Sequence, residues 1–165
     1  MTEERDGAPM TSSTVAGIDL MELASRVEAA ASGNRALDCE IAVALREAPY
    51  TAPWATKFPD WRVQTVQGYT RAEVWDGDRL VGHWHSFAPY STSLDAAVSL
   101  VPANADAAGE SFRLEAYNSS GVLAPHVRAS AWVAGAPRIY AATPALALTA
   151  AALRARASLI EEERS

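Results

Sequence analysis

The stretch TRAEVWDGDRLVGHWHSF, residues 70–87, contains two strand-like runs joined by a tight turn. Apolar and polar residues alternate on both sides of the Asp-Gly-Asp turn at 76–78, and an Asp-Gly pair is a strong short-range signal for a hairpin. The pattern predicts antiparallel strands at 70–75 and 79–87, preceded by a further strand at 61–67. The middle of the chain is therefore expected to form an antiparallel sheet.

Two helices are predicted before this hairpin. Apolar residues recur at three- and four-residue steps from Leu20 and again from Leu37, and Asp19 and Asn34 precede these runs as N-caps. Gly33 is expected to end the first helix as a C′ glycine. Both helices are amphipathic, so each is expected to pack its apolar face against the sheet.

The second half of the chain again mixes helices and strands. The pattern predicts a helix at 94–101, strands at 111–117, 122–133 and 139–142, and a last helix from Pro144. Thr92 or Ser93 and then Thr143 are the expected N-caps, and Leu94 and Val98 are expected on the apolar face of the short helix. The order ααββ(β)αββα predicts an α+β fold, a layered α/β/α sandwich with a mainly antiparallel sheet.

The length and composition indicate one globular domain. The chain has 165 residues, of which 49% are apolar and 21% are charged. Residues 1–17 are expected to form a disordered tail, residues 18–160 the sandwich domain, and residues 161–165 a solvated tail. The formal charge is −6 and the pI is near 5.0, so a nucleic-acid partner is not expected, because nucleic-acid-binding surfaces are basic.

The sequence carries no sign of secretion or of membrane insertion. Cys39 is the single cysteine, so no internal disulfide can form, and its helical setting favours a structural thiol over a nucleophile. The N-terminus lacks the apolar segment of a signal peptide, and no apolar run reaches the roughly 20 residues that span a bilayer. We therefore expect a soluble protein without a membrane partner.

Three segments together resemble one known family. They are NRALDCEIA at 34–42, YSTSLDAAVSLVP at 90–102 and ATPALAL at 142–148. This combination is similar to the phage ABA sandwich domain family, small proteins of tailed bacteriophages and prophages. The resemblance implies an α/β/α layered domain, a phage or prophage origin and a location in the cytoplasm of the infected bacterial host. It implies no catalytic residues, because the family has none established.

His83 and His85 are the sharpest local feature for chemistry. Residues two apart on a strand project from the same face, so both imidazoles can bind one metal ion. Candidates for a third ligand are His126, Asp60 and Glu73. Apolar residues share the same face, so a packing role is the main alternative, and no metal or other cofactor is predicted.

Aromatic and arginine side chains suggest a ligand site. The five tryptophans are many for this length, and they indicate either core packing or a cleft that stacks a planar ligand such as a nucleobase. Guanidinium groups beside such a cleft would bind phosphate, with Arg62 and Arg71 among the candidates. For Tyr90, the alternative is a packing role at the entrance of the following helix. The predicted ligand-binding residues are Tyr90, Trp54, Trp84, Arg35, Arg138, His83 and His85.

The functional hypotheses follow from this mixture of features. The sequence has no Gly-x-Ser-x-Gly, no Cys-x-x-Cys and no phosphate-binding glycine-rich loop, so no enzyme activity is predicted. The first hypothesis is a non-enzymatic phage accessory protein that binds a nucleotide-type small molecule and thereby sequesters a host immune signal. The second is a protein-interaction or structural module that acts as a homo-oligomer. The third is a metal-dependent hydrolase that uses His83 and His85.

Overall fold

The fold is taken from a computed structural model, which describes residues 12–13, 19–49, 51–103, 112–117, 128–133 and 136–165. The α-helices of these ranges are α1 (Leu20–Ala29), α2 (Arg35–Ala44), α3 (Leu94–Ser99) and α4 (Pro144–Arg164). The strands are β1 (Ser12–Ser13), β2 (Asp60–Val66), β3 (Tyr69–Asp76), β4 (Arg79–Trp84), β5 (Phe112–Tyr117), β6 (Arg128–Val133) and β7 (Ile139–Ala141). A 3₁₀ helix, Pro53–Lys57, precedes β2.

Each of these α-helices begins at a polar cap. The Asp19 carboxylate accepts a backbone N–H of the first turn of α1 at 2.8 Å, and the Asn34 side chain does the same for α2 at 3.0 Å. Ser93 and Thr143 cap α3 and α4. The caps satisfy N–H groups that have no carbonyl partner within the helix, and all four predicted cap positions are confirmed.

Two helix ends differ from the prediction. α1 ends at Ala29, with Ala30 as its C-cap, so Gly33 is not its C′ glycine. Gly33 instead lies directly against the backbone of Ser91, where an added Cβ would be 2.2 Å from the Ser91 carbonyl oxygen. At the other end of the chain, α4 continues to Arg164 and so extends into the segment 161–165 that was predicted as a solvated tail, and residues 161–163 of this segment are exposed.

The strands form two antiparallel sheets, ordered β1-β2-β3-β4 and β5-β6-β7. Gly68 and Gly77, with φ values of 82° and 60°, make the tight turns on either side of β3, because glycine adopts positive φ without steric cost. The α+β class with antiparallel sheets is thus confirmed. The expected single sheet is not found among the described strands, and the layered α/β/α stacking stays a prediction.

Several predicted segments are shorter in the structure or fall outside its described ranges. β4 ends at Trp84 instead of residue 87, and only residues 128–133 of the strand predicted at 122–133 are described. Of the predicted tail 1–17, the structure describes only β1, which pairs with β2. Within the described ranges, no helix combines the length and the apolar character needed to cross a bilayer.

α4 occupies the centre of the larger core. Every residue from 145 to 153 is buried, and α1, α3, β6 and β7 pack around the helix. A helix that is apolar on all sides belongs in a protein interior, and its many alanines allow the neighbours to approach closely. Thr149 is the polar exception, and its hydroxyl donates a hydrogen bond to the Tyr90 carbonyl oxygen at 2.8 Å.

α2 contributes to two cores. Leu37 and Ile41 pack into the core around α4, whereas Cys39 and Val43 pack with Trp61 in a second core beneath the four-stranded sheet. Burial raises the pKa of the Cys39 thiol to about 12, so the thiol stays protonated at neutral pH. This environment supports the structural reading of Cys39.

Candidate functional site

An open groove of about 740 Å³ lies between the start of α2 and the β2–β3 turn. It is lined by residues 34–36, by residues 66–71 and by His85. Its volume falls within the range of about 300–1,000 Å³ that is usual for small-molecule sites. The groove is therefore the candidate site of this protein.

The β2–β3 turn places an aromatic ring at the groove. Gln67 and Gly68 both have positive φ, 50° and 82°, which is the signature of a two-residue hairpin turn. Tyr69 follows this turn directly and is 73% exposed. A tyrosine ring that protein atoms leave uncovered offers a flat apolar surface on which a planar ligand can stack.

The opposite wall of the groove is the first turn of α2. The Asn34 side chain accepts the Leu37 N–H, whereas the N–H groups of Arg35 and Ala36 have no carbonyl partner within the helix because they belong to its first turn. These N–H groups and the helix dipole make the N-terminus of a helix favourable for negative charge. The wall thus suits an anionic group.

Arg35 brings a positive charge to this wall. Its Nε and Nη2 atoms donate hydrogen bonds to the backbone oxygen of His85, at 3.2 and 2.5 Å. The acceptor is a neutral carbonyl, so this hydrogen bond orients the guanidinium without compensating its charge; Arg35 makes no ion pair within the described ranges, although its charge interacts with the nearby buried Asp38 carboxyl. The contact also joins α2 to the segment that follows β4, which is why Arg35 and His85 meet although they are far apart in the sequence.

Arg71 also lines the groove, but it differs from Arg35 because its guanidinium forms an ion pair. Its Nε atom donates to Oε1 of Glu73 at 2.8 Å, and the buried Glu73 carboxylate also accepts from the Trp75 indole N–H at 2.9 Å. The carboxylate therefore balances the charge of Arg71 and holds the side chain in place. Arg35 is the better candidate for an anion contact.

No family model, curated protein or solved structure matches this chain. The resemblance to the phage ABA sandwich family therefore stays a prediction, and the site is interpreted from its own residues.

The structure brings only part of the predicted ligand set together. Arg35 and His85 line the groove, and the His83 ring lies beside that of His85 with 5.4 Å between the ring centroids. Arg138 is exposed just before β7 and does not line the groove. Sequence reasoning missed Tyr69, whose signal was the Gln-Gly pair before it.

The predicted aromatic residues are buried or half-buried and do not line the groove. Tyr90 is 3% exposed, and its hydroxyl donates to the Glu47 carboxylate. Trp84 is 8% exposed and packs edge-on against Trp61, with 5.1 Å between the ring centroids. Trp54 is half-buried over Gly82. Because these rings fill the cores, the expected aromatic cleft of Tyr90, Trp54 and Trp84 is not formed.

Two segments of the family resemblance contact each other near the groove. The Ser91 N–H donates to Oδ1 of Asp38 at 2.7 Å, and the Ser91 hydroxyl donates to the Asn34 carbonyl oxygen at 3.2 Å. Gly33 approaches the same Ser91 backbone. These contacts support the structural interpretation of the segment at 90–95, which holds the start of α2 in position.

The buried carboxyl of Asp38 and the half-buried carboxyl of Glu47 are expected to make stability depend on pH. Burial raises the pKa of Asp38 above 3.8 and that of Glu47 above 4.5, although Arg35 and Arg156, respectively, oppose the shifts. A raised pKa means that the folded state holds the proton more tightly than the unfolded state does. The protonated carboxyl therefore stabilises the folded protein below its ordinary pKa, and this stabilisation is lost as pH rises through the raised pKa.

We therefore expect Asp38→Asn and Glu47→Gln to reduce the loss of stability between about pH 4 and neutral pH. Urea denaturation across this range measures the free energy of unfolding at each pH. Asp76→Asn is the matched control, because Asp76 is exposed at the β3–β4 turn. If the free energy of unfolding changes with pH in the same way in the wild type, Asp38→Asn and Glu47→Gln, the expectation is wrong.

The residues proposed for a third metal ligand are otherwise engaged or not described. Asp60 binds Arg62, whose guanidinium also lies 4.5 Å from the centre of the Trp75 ring, and Glu73 binds Arg71. His126 lies outside the described residues. The part of the chain that the structure describes contains no group of three or more side chains suited to hold a metal ion.

Proposed function

We propose that this protein is a non-enzymatic binding protein whose groove takes a phosphate-bearing small molecule of the nucleotide type. The observation that carries the proposal is the meeting of the Arg35 guanidinium, the N-terminus of α2 and the exposed Tyr69 ring in one groove. The first two attract an anion and the third offers a stacking surface. A nucleotide combines both chemical features.

The proposed biological role follows the resemblance to the phage ABA sandwich domains, including their α/β/α layering. In the cytoplasm of an infected bacterial host, a phage accessory protein of this kind would sequester a nucleotide immune signal. Sequestration requires a binding site and no reaction, which is consistent with a groove built from an arginine, a helix N-terminus and a tyrosine.

Calorimetric titration with a cyclic dinucleotide, ADP-ribose and inorganic phosphate tests the proposal. We expect saturable binding of at least one nucleotide, weakened at least tenfold by Arg35→Gln, because a hydrogen bond to a charged group contributes about 1.5–3 kcal/mol. Tyr69→Ala is expected to weaken nucleotide binding but to leave phosphate binding unchanged. Melting temperatures confirm that each variant is folded.

Arg79→Gln is the matched control for charge. Arg79 is exposed on β4, and its contact with Asp76, at 3.7 Å, is a surface pair. Its replacement removes one positive charge outside the groove and should leave binding unchanged. Absence of binding by every probe, or equal affinities of the wild type and Arg35→Gln, would overturn the proposal.

Self-association as a homo-oligomeric interaction module is the second candidate. Leu94 and Val98 are 39% and 37% exposed and lie one helical turn apart on α3, so they leave apolar surface uncovered. Light scattering on the purified protein separates this candidate from a monomeric binding protein.

A further inference from the structure

We infer that His83 and His85 form a two-imidazole site for a divalent cation of the zinc class. Both residues are exposed at the end of β4, the outer strand of the four-stranded sheet. Within the described ranges, neither side chain makes a hydrogen bond or an ion pair, and each ring contacts only the other ring, so the ring nitrogens remain available to a metal ion.

The spacing of the rings fits joint ligation. A zinc–nitrogen bond of about 2.1 Å places each ring centroid about 3.2 Å from the metal, so two rings at a tetrahedral angle have centroids about 5.2 Å apart. The centroids of His83 and His85 are 5.4 Å apart, and the ring planes are inclined at 79°. Joint ligation requires that the two exposed side chains rotate until one nitrogen of each faces a common point.

The backbone around the pair is fixed. His83 belongs to β4 and pairs in register with Glu73 of β3, whereas His85 is held through its carbonyl oxygen by Arg35. Ligands on a restrained backbone lose less conformational freedom when the metal binds. The remaining coordination positions would be filled by water, which makes this an open site and not a closed structural one.

The location of the pair places the cation at the edge of the groove. His85 also lines the groove, so a cation held by the pair would lie beside the place proposed for phosphate. That connection rests on the proposed function, whereas cation binding itself does not. A titration with the metal alone therefore tests this inference separately from nucleotide binding.

The experiment is a calorimetric titration of zinc chloride into the full chain without nucleotide, alongside NMR observation of the imidazole protons. We expect one zinc ion per chain and selective perturbation of the His83 and His85 resonances. His83→Asn and His85→Asn are each expected to weaken binding at least tenfold, while Arg79→Gln on the same strand leaves it unchanged. Melting temperatures establish that the variants are folded.

The double variant His83→Asn/His85→Asn keeps His126 and provides the decisive comparison. Loss of zinc binding in this variant supports the site. Zinc binding that persists in it, or a wild type whose imidazole resonances do not respond to zinc, overturns the inference. Neither result depends on whether the groove binds a nucleotide.

Discussion

Replacing Trp61 by alanine is expected to lower the free energy of unfolding by about 4 kcal/mol, because removal of a buried tryptophan side chain leaves a large cavity. Trp61 is 2% exposed and packs edge-on against Trp84 in the second core. Its indole N–H also donates to the carbonyl oxygens of Ala55 and Phe58, at 3.2 and 2.9 Å. The substitution therefore removes both the packing of the indole and its hydrogen bonds to the 3₁₀ helix and to Phe58.

Trp61→Phe separates these two effects. Phenylalanine retains most of the buried ring but has no N–H donor, so we expect a smaller cost of about 1–3 kcal/mol from the lost volume and from the Phe58 carbonyl oxygen, which loses its donor, whereas the Ala55 carbonyl oxygen still accepts the Phe58 backbone N–H. Trp84→Phe is the control, because the buried Trp84 indole N–H has no hydrogen-bond partner among the described residues, so this substitution removes volume without breaking a hydrogen bond. Urea denaturation followed by circular dichroism gives all three values. A cost below about 1 kcal/mol for Trp61→Ala would contradict the role assigned to this residue.

Gly33→Ala is expected to be the second most damaging substitution, with a cost of about 3 kcal/mol from overpacking. The added Cβ would lie 2.2 Å from the Ser91 carbonyl oxygen and 2.5 Å from the Ser91 carbonyl carbon. Both are backbone atoms, so no side-chain rotation relieves the clash. The Ser91 backbone must move, and with it the N–H that binds Asp38.

Gly68→Ala is the matched control for this steric effect. Its φ is 82° and nothing lies within 4 Å of an added Cβ, so the cost there is backbone strain alone, about 1 kcal/mol. Thermal and urea denaturation compare the same chemical change at the two positions. Equal losses at Gly33 and Gly68 would show that the close approach to Ser91 does not limit stability.

Local patterns predicted the beginnings of elements better than their ends. Asp19, Asn34, Ser93 and Thr143 each accept a backbone N–H within a few residues, so these caps are properties of short segments. The role of Gly33 was not accessible in this way, because the close approach to Ser91 depends on how distant segments pack. The local sequence around a glycine that follows a helix is the same whether the glycine caps the helix or allows a distant backbone segment to pack closely against it.

The buried face of α3 shows the same limit. The spacing of Leu94 and Val98 marked an apolar face, yet both are partly exposed, whereas Ala97 and Leu100 are buried against the core around α4. Periodicity identifies residues that share a face, but it does not say which face meets a partner. Because Ala97 is small, α4 can pack closely against this face of α3. A pattern of large apolar residues does not identify a face that packs through an alanine.

The sequence predicted which types of side chain would meet in a ligand site, but not which residues line the groove. Arginine, histidine and an aromatic ring were expected to meet, and Arg35 and His85 do. The aromatic member is Tyr69, because the Gln67-Gly68 turn carries it to the rim, while Tyr90 and Trp84 fill the cores. Pairing of the strands into two sheets was likewise unpredictable, since alternation within a hairpin does not say which other hairpin it joins.

The alanine-rich centre of α4 has a consequence for the entropy of folding. Alanine has no side-chain torsion to restrict, whereas ordering a methionine or glutamine side chain costs up to about 2 kcal/mol. Most residues from Ala145 to Ala152 are alanines, so the innermost helix becomes ordered with little loss of rotamer freedom. The same helix rebuilt from longer apolar residues would bury more area but freeze many more torsions, and its neighbours would have to move apart to admit it.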